Sequence, residues 1–259
     1  MWALALAILL SLGVNAIMVW RLRVAYGREL ALRLQPTSFP SISRNGNPAG
    51  IPVLFLGDSR AMEWPPLRAS RFYSINAGQS GATTAQIRLC TEEILSTVRP
   101  AVVVFQGGIN DLKAIGLFPG ATTEIQAQCV SNIVEIVNLC HKHRAKVLLT
   151  LVLPPGKVTL ARRLVWSEQI EPAVHEVNKA LARQFAGAGE VVVLDLEQAL
   201  AANQSTMHGF NVYRDTLHMT PRAYSKLEDR LVDLLEQLLA PPSKTDEQGK
   251  GARQSTPQE

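Results

Sequence analysis

Four short segments of this chain carry the residue types that nucleophilic catalysis requires. Three of them begin where an apolar run ends, and the fourth stands just before a helix-start signal. In chain order they are Gly57-Asp58-Ser59, Asn76-Ala77-Gly78, Gly108-Ile109-Asn110-Asp111 and Asp215-Thr216-Leu217-His218. Together they supply a hydroxyl, donors for a developing oxyanion, and a base with a neighbouring acid. This ordered set predicts an esterase-type hydrolase.

Ser59 is the candidate nucleophile. It comes directly after Gly57 and Asp58, which end the apolar run 53–56, so the chain passes from strand to turn at this point. A serine in such a turn is lifted to the edge of the sheet, where its backbone N–H can face a substrate. Its hydroxyl remains a weak nucleophile until a base takes its proton, so the assignment depends on a base elsewhere in the chain.

Among the five histidines, His218 is the best candidate base. Asp215 lies three residues earlier, so one local turn can bring its carboxylate to the imidazole Nδ1, where it selects the tautomer and stabilises the imidazolium. Thr220 and Pro221 follow as a helix N-cap and first helical residue, which braces the histidine loop. His208 is the rival base, but it lacks an acid at comparable spacing.

Three groups are candidates for the oxyanion hole. The backbone N–H of Ser59 is one, and Gly78 is a second because a glycine allows the backbone to approach a ligand closely. Asn110 follows the apolar run 102–105 and offers a side-chain amide. In serine hydrolases, removing one such donor costs about 3–4 kcal/mol of transition-state stabilisation.

The elements that would position these residues are short apolar strands alternating with longer amphipathic helices. Strands are predicted at residues 51–56, 72–75, 101–105, 145–153 and 191–194, and helices at residues 84–98, 122–143, 168–185 and 221–239. This alternation predicts a three-layer α/β/α sandwich with a roughly five-stranded, mostly parallel sheet. In such sheets ligands bind beyond the carboxyl ends of the strands, which is where the first three segments begin.

The amino-terminal segment predicts a membrane anchor. Between Trp2 and Trp20 the chain is apolar for about 19 residues, close to the length that crosses a bilayer as a helix. The two tryptophans mark its ends, where indole rings favour the membrane interface. A cleaved signal peptide is the alternative, but the segment lacks a charged n-region and Val19-Trp20-Arg21 is a poor cleavage site.

The side of the membrane on which the rest of the chain lies stays open. Arg21, Arg23, Arg28 and Arg33 follow the apolar stretch, and the positive-inside rule then favours the cytoplasm. Anchored or secreted hydrolases with such a site commonly work outside the cytoplasm. The sequence therefore predicts a single-pass membrane protein of unresolved orientation.

Composition divides the chain into four parts. Residues 1–34 form the anchor with a helical extension, and residues 35–50, rich in Pro, Ser, Asn and Gly, form a linker. Residues 51–240 form the hydrolase domain, and the polar residues 241–259 form a disordered tail.

The four segments resemble the signature blocks of the SGNH (GDSL-type) hydrolase family, which groups esterases, lipases and carbohydrate acetyl esterases. The resemblance covers residues 51–239, and it implies the flavodoxin-like fold of that family. Asn76-x-Gly78-x-x-Gly81 is similar to the second block. The stretch from His218 to Tyr224 is similar to the last block, where a small residue and a tyrosine follow the histidine.

The resemblance also implies roles for individual residues. Ser59 corresponds to the nucleophile, Gly78 and Asn110 to oxyanion donors, and His218 to the base with Asp215 as its partner acid. The residue types and their spacing predict the same nucleophile, oxyanion donors, base and acid at these positions.

One position departs from the family pattern. The first block reads Gly-Asp-Ser-Arg, whereas the family commonly has leucine in the fourth place. A charge so close to Ser59 bears on substrate choice. Two hypotheses follow for Arg60, namely that it contacts an anionic group of the substrate, or that it pairs with Glu63 or Asp58.

Other classes of function find little support in the sequence. The formal net charge is only +4, and the basic residues are spread along the chain, so no nucleic-acid partner is expected. No metal-ligand spacing and no dinucleotide or P-loop fingerprint is present, so no cofactor is expected. The three cysteines, Cys90, Cys129 and Cys140, are interpreted as small apolar core residues.

The predicted reaction is hydrolysis of a small-molecule, lipid or glycan ester through a Ser59 acyl-enzyme. An O-acyltransferase that passes the acyl group to a glycan hydroxyl is an alternative, because it uses the same groups. A catalytically silent, membrane-tethered binding module is a second alternative. Substrate choice is expected to lie in the loops over the strand ends, at residues 112–120 and 154–167.

Overall fold

A computed structural model describes residues 2–32, 40–160, 162–201 and 211–240. The helices are α1 (Trp2–Leu32), α2 (Ser59–Met62), α3 (Thr84–Val98), α4 (Ile109–Leu112), α5 (Thr122–Lys142), α6 (Ile170–Gln184), α7 (Leu196–Ala201) and α8 (Pro221–Leu239). Short 3₁₀ turns lie at Lys113–Gly116, Pro119–Ala121 and Arg162–Val165. The strands are β1 (Ser43–Asn45), β2 (Ile51–Gly57), β3 (Phe72–Gly78), β4 (Val102–Gln106), β5 (Lys146–Thr150) and β6 (Val191–Leu194). The predicted tail and the rival base His208 lie outside the described residues.

The strands form one sheet in the order β1-β3-β2-β4-β5-β6. The five predicted strands are all parallel. A sixth strand, β1, pairs antiparallel with β3 at the edge of the sheet. It lies inside the segment that the composition assigns to a linker. The three residues of β1 have no apolar pattern, so the sequence does not predict a strand there. They form one because the edge of β3 offers them backbone hydrogen bonds, not because their side chains are buried.

Alternate residues of the central strands point to opposite faces of the sheet, as the period of a strand requires. In β2, Val53 and Phe55 join a buried cluster with α7 and α8. Leu54 and Leu56 join a second cluster with α3, α5 and α6. Both faces are therefore covered by helices, and the predicted three-layer α/β/α sandwich is confirmed.

The strand ends lie side by side at one edge of the sheet. Gly57 at the end of β2 is in register with Gly78 of β3 and with Gln106 of β4. The residues that follow these three strands therefore begin next to one another. The expectation that the first three polar segments share one edge of the sheet is confirmed.

Strand β5 ends earlier than the apolar run predicts. The run continues to residue 153, but the ladder stops at Thr150. The side chain of Asn178 on α6 accepts a hydrogen bond from the Val152 N–H and donates one to the Val152 carbonyl, both at 2.8 Å. This side chain takes the place of a strand partner, which an apolar pattern cannot reveal.

All three cysteines are buried, Cys90 on α3 and Cys129 and Cys140 on α5. Burial raises the pKa of the Cys140 thiol to about 12, so that thiol stays uncharged. Their interpretation as small apolar core residues is confirmed.

Helix α1 contains a stretch, Leu4–Gly27, that is long and apolar enough to cross a bilayer. It has 24 residues with a mean hydropathy of 1.9, and none of its most apolar window is buried in the protein. A helix of this kind could serve as a membrane anchor or as a signal sequence.

The tight approach of Gly57 to β4 generates a first prediction. Its φ of +153° disfavours other residues, and a Cβ at this position would lie 1.8 Å from the Gln106 carbonyl oxygen. We expect Gly57→Ala to lower the free energy of unfolding by about 3 kcal/mol or more, because strain and overpacking act together. Gly120→Ala is the matched control, since a Cβ there meets nothing within 4 Å. Equal thermal unfolding of the two variants in detergent would show that the strand end at Gly57 has room for a side chain.

Candidate active site

The turn after β2 positions Ser59. The Asp58 N–H donates to the Gln106 carbonyl at 3.0 Å, which ties the turn to the neighbouring strand β4. The Asp58 side chain accepts a hydrogen bond from the Arg60 N–H at 2.9 Å and so caps the short helix α2. Ser59 is the first residue of α2 and is 7% exposed. As at other helix starts, its backbone N–H has no intrahelical acceptor, and no described residue accepts a hydrogen bond from it.

His218 lies on a short loop that is held at both ends. Tyr213 and Met219 form an antiparallel bridge, and the Arg214 N–H donates to the His218 carbonyl at 3.0 Å. Thr220 then caps helix α8, with proline as its first residue, as predicted. The loop is therefore a narrow hairpin that leads directly into a long helix, which restricts where the imidazole can go.

The structure brings three of the predicted side chains into one hydrogen-bonded line. The Ser59 Oγ lies 3.1 Å from the His218 Nε2. The His218 Nδ1 lies 2.8 Å from the Asp215 Oδ2. An imidazole with Nδ1–H donating to the carboxylate has a basic Nε2, which is the tautomer that can take a proton from the serine.

Asp215 is held as a carboxylate by its surroundings. Partial burial raises its pKa, but hydrogen bonds from the backbone N–H groups of His218 and Leu217 and from the His218 ring outweigh this effect. The two backbone bonds measure 2.9 and 2.7 Å. The pKa of Asp215 therefore lies well below its usual range, and the carboxylate keeps its charge throughout the neutral region.

Arg60, the residue after Ser59, is buried, with only 2% of its surface exposed. Its Nε donates to the Leu217 carbonyl at 2.7 Å, and its Nη1 donates to the Leu153 carbonyl at 2.6 Å. Leu217 is the residue before His218. The guanidinium therefore connects the serine turn, the end of the β5 region and the histidine loop.

This geometry supports neither a substrate contact of Arg60 nor a direct ion pair with Glu63 or Asp58, although the charge of the guanidinium does act on the nearby Asp58 carboxyl. A buried guanidinium that is bonded to backbone carbonyls is not available to a substrate anion. Glu63 pairs instead with Arg214, at 2.5 Å. Asp58 accepts from the backbone N–H of Arg60 rather than from its side chain. The sequence does not reveal that the Arg60 guanidinium binds backbone carbonyls, because these acceptors belong to residues about 90 and 160 positions away.

The structure also corrects the position of one predicted oxyanion donor. The Gly78 N–H donates to the Asn76 side chain at 2.9 Å and is therefore already used. A Cβ on Gly78 would lie 2.2 Å from the Met62 backbone nitrogen, so this glycine is required for close packing against the end of α2. Gly78 does not line the pocket that contains Ser59.

Gly81 takes the place in the pocket that was expected for Gly78. It lines the pocket together with Ser80, Ser59 and Asn110. Its φ of +73° is a left-handed conformation that glycine adopts without strain. No described residue accepts a hydrogen bond from its N–H. Gly81 was visible in the sequence as the last glycine of the second motif, but spacing alone could not decide which glycine faces the ligand.

Asn110 lies in the pocket as predicted. It is 3% exposed, and its Nδ2 donates to the Ala82 carbonyl at 3.0 Å. This bond uses one of the two N–H groups of the amide and orients the other. The next residue, Asp111, accepts bonds from the Thr84 N–H and hydroxyl, at 2.9 and 2.6 Å. Burial raises the pKa of Asp111 to about 6.

These residues surround a pocket of about 370 Å³. Its lining comprises Tyr26, Ser59, Ser80, Gly81, Asn110, Lys113, Arg162, Val165, Trp166, Leu217 and His218. Both loops that were expected to govern substrate choice contribute to it. Tyr26 of α1 was not predicted as a site residue, because its contact with the pocket depends on how the helix packs. Within the described ranges, no group of three or more His, Cys, Asp or Glu residues could hold a metal ion.

A parallel sheet with a hydroxyl, an imidazole and a carboxylate in line at its carboxyl edge defines the architecture of a serine hydrolase. The sequence profile of the GDSL-like Lipase/Acylhydrolase family matches residues 41–226. The chain belongs to this family and is an ester-cleaving hydrolase. The resemblance to SGNH (GDSL-type) hydrolases that the motifs predict is thereby confirmed.

Individual relatives agree with this assignment. The chain is 28% identical over 195 residues to a platelet-activating factor acetylhydrolase IB subunit alpha2 from Gallus gallus, covering 72% of this chain and 77% of that protein. A GDSL-like lipase from Bacteroides thetaiotaomicron has a TM-score of 0.57 and 20% identity, over 84% of this chain and 98% of its own. An acetylxylan esterase from Geobacillus stearothermophilus has a TM-score of 0.54 and 15% identity, over 71% and 93% of the two chains. At these identities the two crystal structures establish a shared fold.

The contacts of Arg60 generate a second prediction. We expect Arg60→Met to lower kcat about 10-fold or more with little change in KM, because two buried carbonyls lose a charged donor and the histidine loop shifts. The ratio of rates on anionic and neutral esters should stay the same. Arg99→Met, at an exposed position, is the matched control and should have no effect. A selective loss on anionic esters would restore a role in substrate binding.

The Asp215 carboxylate generates a third prediction. We expect Asp215→Asn to lower kcat about 10³- to 10⁴-fold, as in other serine hydrolases, because the amide favours the wrong imidazole tautomer. In the wild type, Asp215 stays ionised down to about pH 4, since its pKa lies below the usual carboxyl value. Above about pH 4 the Asp215 carboxylate should therefore add no protonation step to the pH profile of log kcat/KM. A protonation step in this range that is present in the wild type and lost in Asp215→Asn would show that the carboxylate titrates there.

Proposed function

We propose that this protein is a membrane-anchored serine esterase that cleaves carboxylic esters through an acyl-enzyme on Ser59. The observation that carries the proposal is the continuous line from the Ser59 Oγ through His218 to Asp215, which opens into a pocket. A hydroxyl, a base and an orienting acid in hydrogen-bond contact are the groups that acyl transfer requires.

In the proposed reaction the Ser59 Oγ attacks the ester carbonyl carbon while the His218 Nε2 takes the hydroxyl proton. The tetrahedral intermediate then collapses, the bond to the alcohol breaks, and the imidazolium gives its proton to the departing alkoxide. Water attacks the acyl-enzyme while the same imidazole takes its proton, the bond from the acyl carbon to the Ser59 Oγ breaks, and the imidazolium returns the proton to Oγ as the carboxylic acid leaves. Asp215 stays ionised throughout and stabilises the imidazolium.

Three N–H donors are available for the oxyanion in this proposal. They are the backbone N–H groups of Ser59 and Gly81 and the second Nδ2–H of Asn110. All three residues line the same pocket. Their hydrogen bonds would strengthen as negative charge develops on the carbonyl oxygen, which lowers the barrier rather than only binding the substrate.

The anchor and the domain boundaries belong to the same proposal. The apolar helix Leu4–Gly27 supports a membrane anchor whose hydrocarbon-embedded part ends near Trp20, within the anchor segment 1–34. The family match begins at residue 41, and β1 pairs with the sheet, so the hydrolase domain starts before residue 51 and extends to about residue 240.

Labelling by a fluorophosphonate tests the proposed nucleophile and is our fourth prediction. The wild-type chain should be labelled on Ser59, and Ser59→Ala should lose both the label and the hydrolysis of p-nitrophenyl acetate. Ser96→Ala is the matched control, because its hydroxyl bonds the Glu92 carbonyl on an exposed helix face. Labelling that persists in Ser59→Ala would show that another residue is the nucleophile.

Product analysis separates hydrolysis from acyl transfer. With an added oligosaccharide acceptor, a hydrolase should still release the free acid, whereas a transferase should form an acylated sugar. A correctly folded wild type that neither binds the fluorophosphonate nor cleaves any ester would instead indicate a binding module.

A further inference from the structure

The end of helix α1 is built into the wall of the candidate active site. Tyr26 lines the same pocket as Ser59 and His218. One turn earlier, the guanidinium of Arg23 donates to the Leu164 carbonyl at 2.6 Å and to the Gly116 carbonyl at 2.9 Å. Arg23 therefore binds both of the segments that surround the pocket. A helix that served only as a tether would not need these contacts.

A second cavity, which we call the side groove, adjoins the pocket. It has a volume of about 480 Å³ and a mostly apolar surface. Asn110, a proposed oxyanion donor, lines both cavities. Gly27 of α1, Phe118 and Ile125 form part of its wall. A Cβ on Gly27 would lie 3.6 Å from the Phe118 ring, so the helix passes directly over this wall.

The position of α1 relates these cavities to the bilayer. If Trp20 marks the edge of the hydrocarbon, Tyr26 lies about 9 Å beyond it along the helix, at 1.5 Å per residue. The headgroup layer is about 5–8 Å thick on each side of the membrane. The pocket therefore lies at the outer edge of the headgroups, within reach of a lipid ester that is partly drawn out of the bilayer.

The surface beside α1 fits this position. Phe118 is 50% exposed, Leu160 79% and Leu164 43%, and all three belong to the segments that surround the pocket. Exposed Lys157 and Arg163 lie on the same segment as the two leucines. Apolar and basic side chains together are typical of a surface that rests on anionic headgroups.

We propose that the end of α1 forms one wall of the catalytic site, and that the substrate is an amphiphilic ester from the bilayer whose acyl chain occupies the side groove. This inference rests on the proposed esterase function. The ester carbonyl lies between Ser59 and Asn110, and the chain extends from Asn110 past Phe118 toward Gly27. The helix thus contributes to chain recognition as well as to attachment.

Our fifth prediction tests this inference with the variant Gly27→Leu in the full chain. Gly13→Leu is its matched control. A leucine at position 27 fills part of the side groove, whereas a Cβ at position 13 of the same helix meets nothing within 4 Å. The proteins are reconstituted in vesicles of phosphatidylcholine and phosphatidylglycerol. Activity is measured on p-nitrophenyl acetate and p-nitrophenyl dodecanoate.

We expect Gly27→Leu to lower kcat/KM for the dodecanoate about 10-fold or more, because the leucine keeps several methylene groups of the acyl chain out of the side groove. The loss on the acetate should be smaller, so the ratio of kcat/KM for the dodecanoate to that for the acetate should fall, because the acetyl group does not reach the groove. Gly13→Leu should leave both unchanged. Arg23→Ala should also reduce dodecanoate cleavage, because it releases the helix from the pocket.

The other outcomes are distinct. A wild type that cleaves neither ester refutes the esterase function itself. A wild type that cleaves acetate but gains nothing from the longer chain overturns the acyl-groove assignment. An equal loss on both esters in Gly27→Leu also overturns it, because the helix would then affect the whole site rather than chain binding.

Discussion

The site depends on one physical constraint, which is that the histidine loop must be held against the serine turn although the two lie far apart in the chain. The distance from Ser59 Oγ to His218 Nε2 is 3.1 Å, across a separation of 159 residues. A hydrogen bond of this length cannot hold the loop by itself, because it must break and form during the reaction. The loop therefore has to be held by groups that do not take part in the chemistry.

The buried guanidinium of Arg60 is the main group that meets this requirement. It follows Ser59 in the chain and donates to the carbonyl of Leu217, which precedes His218. The backbones on both sides of the reacting pair are thus joined by a charged hydrogen bond, which is worth about 1.5–3 kcal/mol. On the other side of the turn, the Tyr224 hydroxyl of α8 donates to the Arg60 carbonyl at 2.9 Å. The histidine loop and the helix after it are therefore both hydrogen-bonded to Arg60, the residue next to Ser59.

Local patterns in the sequence were enough to predict most of the fold. The five parallel strands, helices α3, α5, α6 and α8, and the contact of Asp215 with His218 follow from apolar runs, caps and short spacing, whereas the meeting of Ser59 with His218 was expected from the order of the four segments and their resemblance to the family's blocks. The features that the sequence did not predict correctly all depend on contacts between residues that are distant in the chain. Gly78 and Gly81 stand three residues apart in one motif, and only the tertiary packing shows that Gly78 lies against Met62 of α2 while Gly81 faces the pocket. Arg60, β1 and Tyr26 likewise depend on partners that are distant in the chain.

The contacts of Arg23 also bear on whether α1 is a retained anchor or a removable signal. Gly116 and Val165 pack so closely that a Cβ on Gly116 would lie 2.2 Å from the Val165 carbonyl oxygen. This packing brings the carbonyls of Gly116 and Leu164 together, and the Arg23 guanidinium joins both. Removal of α1 would leave these two acceptors without their charged donor and would open the pocket where Tyr26 lies. A segment that is cleaved before the enzyme works has no reason to complete its active site, so this geometry supports the proposal that α1 remains attached.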